Sequence, residues 1–238
     1  MVIEYINTVV QDKKTNYDLG IRKYLFLVYR YMTFALWVTA LVAFIVSSSQ
    51  TLMHIMHVTG LKWVVAFAPL IMVFYMGGRL MSMSHVTAQV CLMVFAMLMG
   101  VSLSPIFLIF TGDSIIRTFL VTASTFCVMS IWGHNTEKDL SSIGSFLMMG
   151  AIGLLIAGIA NIFLKSSVVS FVSSVLGVVI FTIFTAYDTQ RIKELYYQNY
   201  GTEQLASKLA VYGSLTLYMD FVNLFVFLLQ LIGVRKND

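Results

Sequence analysis

Val169-Ser-Phe-Val-Ser-Ser-Val-Leu-Gly-Val-Val-Ile-Phe-Thr-Ile-Phe-Thr-Ala-Tyr-Asp-Thr-Gln190 decides the fold: it is an unbroken run between Lys165 and Arg191, free of proline and carrying one charge, Asp188. A bilayer core about 30 Å thick is crossed by about 20 residues of helix. The run is long enough. Working outward with the same criterion, six further runs satisfy it, at 24–47, 63–82, 86–110, 115–132, 143–164 and 213–234. The whole composition agrees. Of 238 residues, 59% are hydrophobic and 11% charged, with only two prolines, and the mean hydropathy is +0.86. Roughly a quarter of the residues of a soluble domain are charged, so soluble, disordered and collagen-like classes are excluded. The reading is an all-α membrane protein, a seven-transmembrane-helix bundle occupying 24–234 as one domain, between a polar segment 1–23 and a short tail 235–238.

Cys91 and Cys127 both lie in apolar stretches, so they imply neither a disulfide framework nor a zinc site. A net charge of +4 comes from basic residues scattered between apolar runs, which suits loops facing lipid head groups and gives no stripe for nucleic acid. Orientation follows from the Lys/Arg balance of alternate loops. Lys13, Lys14, Arg22, Lys23, Arg79, Lys138, Arg191, Lys193 and Lys208 fall on the N-terminal side, and Lys62, Arg117, Lys165, Arg235 and Lys236 on the other. Nine against five places the N-terminus in the cytoplasm and, with seven spans, the C-terminus outside. The first 23 residues lack the apolar core and cleavage site of a signal peptide, so they are expected to stay on. A bacterial cytoplasmic membrane suits the short tails. In the fifth span Gly150, Gly153, Ala157, Gly158 and Ala160 are small enough to let helices approach closely.

Ionisable groups within a bilayer are costly, about 2.5–3.5 kcal/mol each on insertion scales, and each requires a reason. Arg30 is near enough to the cytoplasmic interface to snorkel. Asp113 and Arg117 flank a turn, Glu137, Lys138 and Asp139 form a solvated loop, and His85 and His134 stand at span ends. His54 and His57, three apart, share a helical face, but without a carboxylate or thiolate beside them they read as a surface pair. Three residues remain. Asp220, counted back from Arg235 and Lys236, falls about 7–8 Å inside the cytoplasmic boundary; Asp188, counted from Arg191 and Lys193, falls at a similar depth, and Arg79 close to it. Two carboxylates at one depth on consecutive helices, if they touch, cannot both ionise cheaply, and titrate as a coupled unit whose shared proton the charge of Arg79 opposes. Such a pair is a proton-sensitive latch. Facing water, it also suits weak binding of a hard cation such as calcium, with the amide oxygen of Asn223 as a third ligand; no firm metal site is implied.

The sixth span and its continuation, Val175 to Lys193, and the last span, Gly213-Ser-Leu-Thr-Leu-Tyr-Met-Asp-Phe-Val-Asn-Leu-Phe225, resemble the Bax inhibitor-1 family of multipass membrane proteins. The turn Met99-Gly-Val-Ser-Leu-Ser-Pro-Ile106 fits it as well. The resemblance implies a bundle whose last helix is central and a pH-sensitive calcium leak gated by two aspartates and an arginine, here Asp188, Asp220 and Arg79. Met76-Gly-Gly-Arg-Leu-Met81 is the looser of the matches. The family further implies, as partners, a membrane-anchored ATP-dependent protease for bacterial relatives and suppression of cell death for eukaryotic ones. No resident cofactor is implied. The alternative is a non-conducting regulator that binds a membrane partner. An enzyme is not expected. Tyr187-Asp188 matches one half of an intramembrane aspartyl protease, but the other half requires Gly-x-Gly-Asp, and Leu217-Tyr-Met-Asp220 would obstruct a substrate. A rhomboid-type protease lacks its Gly-x-Ser-Gly, and a retinal protein its lysine in the seventh span.

Overall fold

The computed structural model describes the backbone of residues 2–199 and 203–236 and the side chains of residues 20–80, 82–199 and 205–236. The described chain forms α1 Val2–Ser48, α2 Gln50–His57, α3 Leu61–Arg79, α4 His85–Leu103, α5 Ile106–Ile109, α6 Gly112–Asn135, α7 Ser141–Leu164, α8 Ser167–Gln198 and α9 Glu203–Ile232, with a 3₁₀ turn Leu80–Ser82 between α3 and α4. Seven helical stretches are long and apolar enough to cross a membrane, beginning with Gly20–Ser48 and ending with Leu205–Ile232. The protein is an all-α seven-span bundle, as the hydropathy pattern indicated. Below, the end at which Gly20 enters is called proximal and the opposite end distal. From Val2 onward the polar N-terminal segment continues the first span as helical backbone; Lys13 and Lys14, counted above for orientation, lie outside the described side chains.

Short polar residues set the helix starts. Ser49, Ser84, Thr111 and Ser166 each accept a hydrogen bond from a backbone N–H three residues on, at Leu52, Thr87, Ser114 and Val169, satisfying amides that a helix start leaves free. Helix α4 ends before Ser104-Pro105, since proline cannot continue the ladder of hydrogen bonds. At the proximal end Asp139 accepts a bond of 2.8 Å from the Ser141 amide, and its contacts with Ser141 hold its carboxyl below the usual range.

The last helix is central. Half of its apolar window (50%) is buried, against 11–28% for the other six spans, and it packs on α8, α1, α6 and α4. Its antiparallel register with α8 runs through Ser174–Gln230 (3.1 Å between Oγ and Oε1), Phe181–Phe227 stacked at 5.8 Å, Asp188–Asp220 and Ile192–Gly213. The helix also begins earlier than hydropathy indicated, with its span starting at 205 rather than 213. Ser207 and Lys208 interrupt the apolar run, but Leu209, Ala210 and Val211 are buried, and the Tyr24 hydroxyl donates to the Leu209 carbonyl at 3.4 Å. Burial extends the helix where composition does not.

Of the small residues of the fifth span, only some make the close contacts expected of them. In α7, Gly144 and Gly150 lie under Tyr187 and Ile180, but Gly153 and Gly158 face open space. The tightest approach between two helices is at Gly133 of α6, where an added Cβ would lie 2.3 Å from the Ala186 carbonyl oxygen of α8. At the distal end the tail is tied to the α5–α6 turn: Phe110 and Arg235 form an antiparallel bridge, the Lys236 amide donates to Ile109 and its Nζ to Phe107 at 2.8 Å.

Candidate functional site

Helices α8 and α9 bring two carboxyl groups together in the middle of the protein. Asp188 is 5% and Asp220 4% exposed, and each side chain lies within hydrogen-bonding reach of the other. Two carboxylates are acceptors only, so a hydrogen bond between them exists only while one of the pair carries a proton. The second Asp220 oxygen, Oδ2, is buried with no hydrogen-bond partner. The neighbouring hydroxyls are engaged elsewhere. Thr185 donates to the Phe181 carbonyl at 2.9 Å and Thr189 to the Thr185 carbonyl at 2.7 Å, each bonding back to its own helix.

Apolar layers close the pair in along the interface. The Phe181–Phe227 stack lies about two turns to the distal side, and Ile192 against Gly213 about a turn or two to the proximal side. Phe221, next to Asp220, meets Phe119 and Phe126 edge-on, both at 5.5 Å. Tyr218, one half-turn before Asp220, packs edge-on against Phe95 at 5.4 Å and shares a hydrogen bond of 2.7 Å with Thr39. This network fixes α9 against α1 and α4. Counted along α9, Asp220 is roughly 18 Å from Ile232 and 22 Å from Leu205 at 1.5 Å per residue, well inside the helix and deeper than its distance from a start at 213 suggested.

Arg79 is not at the pair. It is exposed in the last turn of α3, a helix that packs on α2 and α4, and among the described residues no ion pair joins it to either aspartate. The cation that acts on Asp188 is Arg191, one turn further along α8. The spacing Asp188-x-x-Arg191 carried that signal, since residues three apart on a helix are neighbours. Asn223 is half-buried on α9, one turn beyond Asp220. Among the described residues no group of three or more His, Cys, Asp or Glu side chains could hold a metal. Calcium takes six to eight oxygens, so two carboxyls and an amide are too few to hold it.

The histidine pair divides. His54 is exposed, whereas His57 Nε2 lies 3.1 Å from the Val101 carbonyl oxygen and 3.0 Å from Ser104 Oγ, pinning α2 onto α4. His85 lies 3.4 Å from the Tyr31 hydroxyl. Arg30 sits exposed over the Tyr31 ring at 5.6 Å.

Comparison with known proteins bears on the whole bundle. The family model "Inhibitor of apoptosis-promoting Bax1" matches residues 21–237. The chain is 42% identical to protein RP147 of Rickettsia prowazekii over 99% of its own length and 100% of that protein's. It is 38% identical to a protein of Caulobacter vibrioides over 98% and 97% of the two chains. With the inner membrane protein YbhL of Escherichia coli K12 it shares 36% identity over 91% of this chain and 94% of YbhL. Spans, buried aspartate helices and family match coincide over nearly all of the sequence, and the chain belongs to the Bax inhibitor-1 family of integral multi-pass membrane proteins.

Proposed function

We propose that this protein is a proton-regulated calcium leak of a bacterial inner membrane, and that Asp188 and Asp220 are its gate. The observation that carries the reading is the buried carboxyl pair joining the central helix to α8. Removing the proton shared across the two helices leaves two adjacent carboxylates that repel in a low-dielectric interior. The contact therefore has a protonated state that holds α8 to α9 and a deprotonated state that separates them or recruits a cation. A separated pair offers oxygen ligands too few to trap calcium and enough to pass it on, which conduction requires. The chain acts without a resident cofactor and is not an enzyme.

The test is calcium entry into dye-loaded liposomes carrying the purified protein, from about pH 5.5 to 8.5, a window centred well above ordinary carboxylate values and wide enough for a perturbed pair. Wild type is expected to show a leak that varies with pH, and both Asp188→Asn and Asp220→Asn a leak that does not. Glu137→Gln, in the exposed loop, is expected to keep the wild-type profile. Preservation of the pH profile in both aspartate variants would reject the gate. Absence of flux above empty liposomes at every pH would instead favour a non-conducting regulator of a membrane partner, such as a membrane-anchored ATP-dependent protease.

A further inference from the structure

Helices α1 and α6 both pack on α9 without packing along one another, and between them lies a cleft of 580 Å³. Its α1 wall is the stripe Leu25, Tyr29, Met32 and Leu36, and its α6 wall runs from Phe119 through Ala123 and Phe126 to Ser130 and His134. Both sets recur at three- and four-residue intervals, so each is one continuous helix face. Phe221 of α9 is the floor. From Phe119 to His134 the cleft extends about 22 Å at 1.5 Å per residue, against about 15 Å for one leaflet of a 30 Å hydrocarbon core.

The cleft is polar at one end. Ser130, His134 and Asn135 gather at its proximal mouth, and His134 Nδ1 is buried behind it with no hydrogen-bond partner. Arg22, exposed, is three residues before Leu25 and so continues the α1 stripe one turn beyond that mouth. An apolar trough the length of a leaflet, opening between two outer helices and ending in a hydroxyl, an imidazole, an amide and a guanidinium, has the polarity of one amphiphile with an anionic head. We propose that the cleft binds a single anionic phospholipid of the surrounding leaflet, with an acyl chain along the Phe119–His134 face and the phosphate at Arg22 and His134. The site is separate from the gate, and its test does not depend on ion flux.

The protein is reconstituted in nanodiscs of equal dioleoylphosphatidylglycerol and dioleoylphosphatidylcholine, released, and weighed intact by native mass spectrometry. One retained phosphatidylglycerol is expected on wild type. Thr33→Trp, on the exposed rim, and Ala123→Phe, in the wall, are each expected to lower that retention about tenfold. Arg22→Gln is expected to keep a lipid but to reduce the preference for phosphatidylglycerol over phosphatidylcholine about fivefold, as for loss of one basic contact with an anionic surface. Wild-type retention in either cleft variant that remains folded and monodisperse overturns the proposal, as does a co-purified peptide or other apolar molecule in place of lipid. Should both cleft variants fail to fold, the Arg22→Gln ratio decides alone, and an unchanged ratio overturns the site.

Discussion

At the scale of single residues, the charges around Asp188 are ordered by helix geometry more than by depth. Arg191 lies three residues from Asp188 on one helix, and an ion pair at that spacing acts over a short path even where solvent screens part of it. Arg79 lies on an edge helix with its side chain exposed. In the liposome assay, Arg191→Gln is therefore expected to move the midpoint of the pH response, and Arg79→Gln to leave it in place. A midpoint that moves as far in Arg79→Gln as in Arg191→Gln would return Arg79 to the gate. The two aspartates were legible in the sequence as lone carboxylates inside long apolar runs, each of which requires a reason; the height counted for Asp220 was too shallow, because its span starts eight residues earlier than the apolar run, about 12 Å at 1.5 Å per residue. Arg79 was misplaced because height says nothing of azimuth. Which way a side chain points around its helix depends on what that helix packs against, and α3 leaves Arg79 exposed. The Tyr218–Thr39 bond, which joins the central helix to α1 across 179 residues of sequence, had no local signal at all.

Elements show the same division. Span number and most span limits follow from apolar run length, which the bilayer itself imposes. The start of α9 does not, because Lys208 and Ser207 are polar letters inside a segment held by tertiary burial of Leu209, Ala210 and Val211. Helix contacts are also local matters of shape. Both Gly133 and Gly153 are glycines within long apolar helices, yet a Cβ on Gly133 would strike the Ala186 backbone at 2.3 Å while one on Gly153 meets nothing within 4 Å. A backbone carbonyl cannot rotate aside as a side chain can. Gly133→Val is expected to force α6 off α8 and cost about 1–3 kcal/mol, the range for overpacking, whereas Gly153→Val is expected to change stability by about 0.5 kcal/mol or less, as for a surface site. Thermal unfolding of the two variants in the same detergent measures the contrast, and equal melting temperatures would show that the α6–α8 contact yields without cost.

The whole molecule is a central helix with a partial ring around it. Helix α9 carries Asp220 and is the most buried of the spans, while α7 touches the bundle chiefly through α8, and α3 through α4. Displacing an edge helix therefore disturbs one interface, but moving α9 relative to α8 disturbs the carboxyl pair and every contact that centres on it, which makes that pair the natural point of control. The bundle also has a side, and the basic residues state which. The proximal loops hold Lys138, Arg191, Lys193 and Lys208, and Lys193 Nζ further caps α6 by donating to the His134 carbonyl at 2.9 Å, a cation at a helix C-terminus where the dipole favours it. With Arg22, Lys23 and Arg79 the proximal side outnumbers the distal one, which holds Lys62, Arg117, Lys165, Arg235 and Lys236. Because an excess of Lys and Arg is retained on the cytoplasmic side, the proximal end is expected to face the cytoplasm. Single cysteines placed in exposed loops after Cys91 and Cys127 are replaced by alanine test this directly. In intact bacterial cells Lys165→Cys, in the α7–α8 turn, is expected to react with a membrane-impermeant maleimide, and Lys138→Cys, in the α6–α7 loop, only after the cells are opened. The opposite pattern would invert the bundle and put the mouth of the lipid cleft in the outer leaflet.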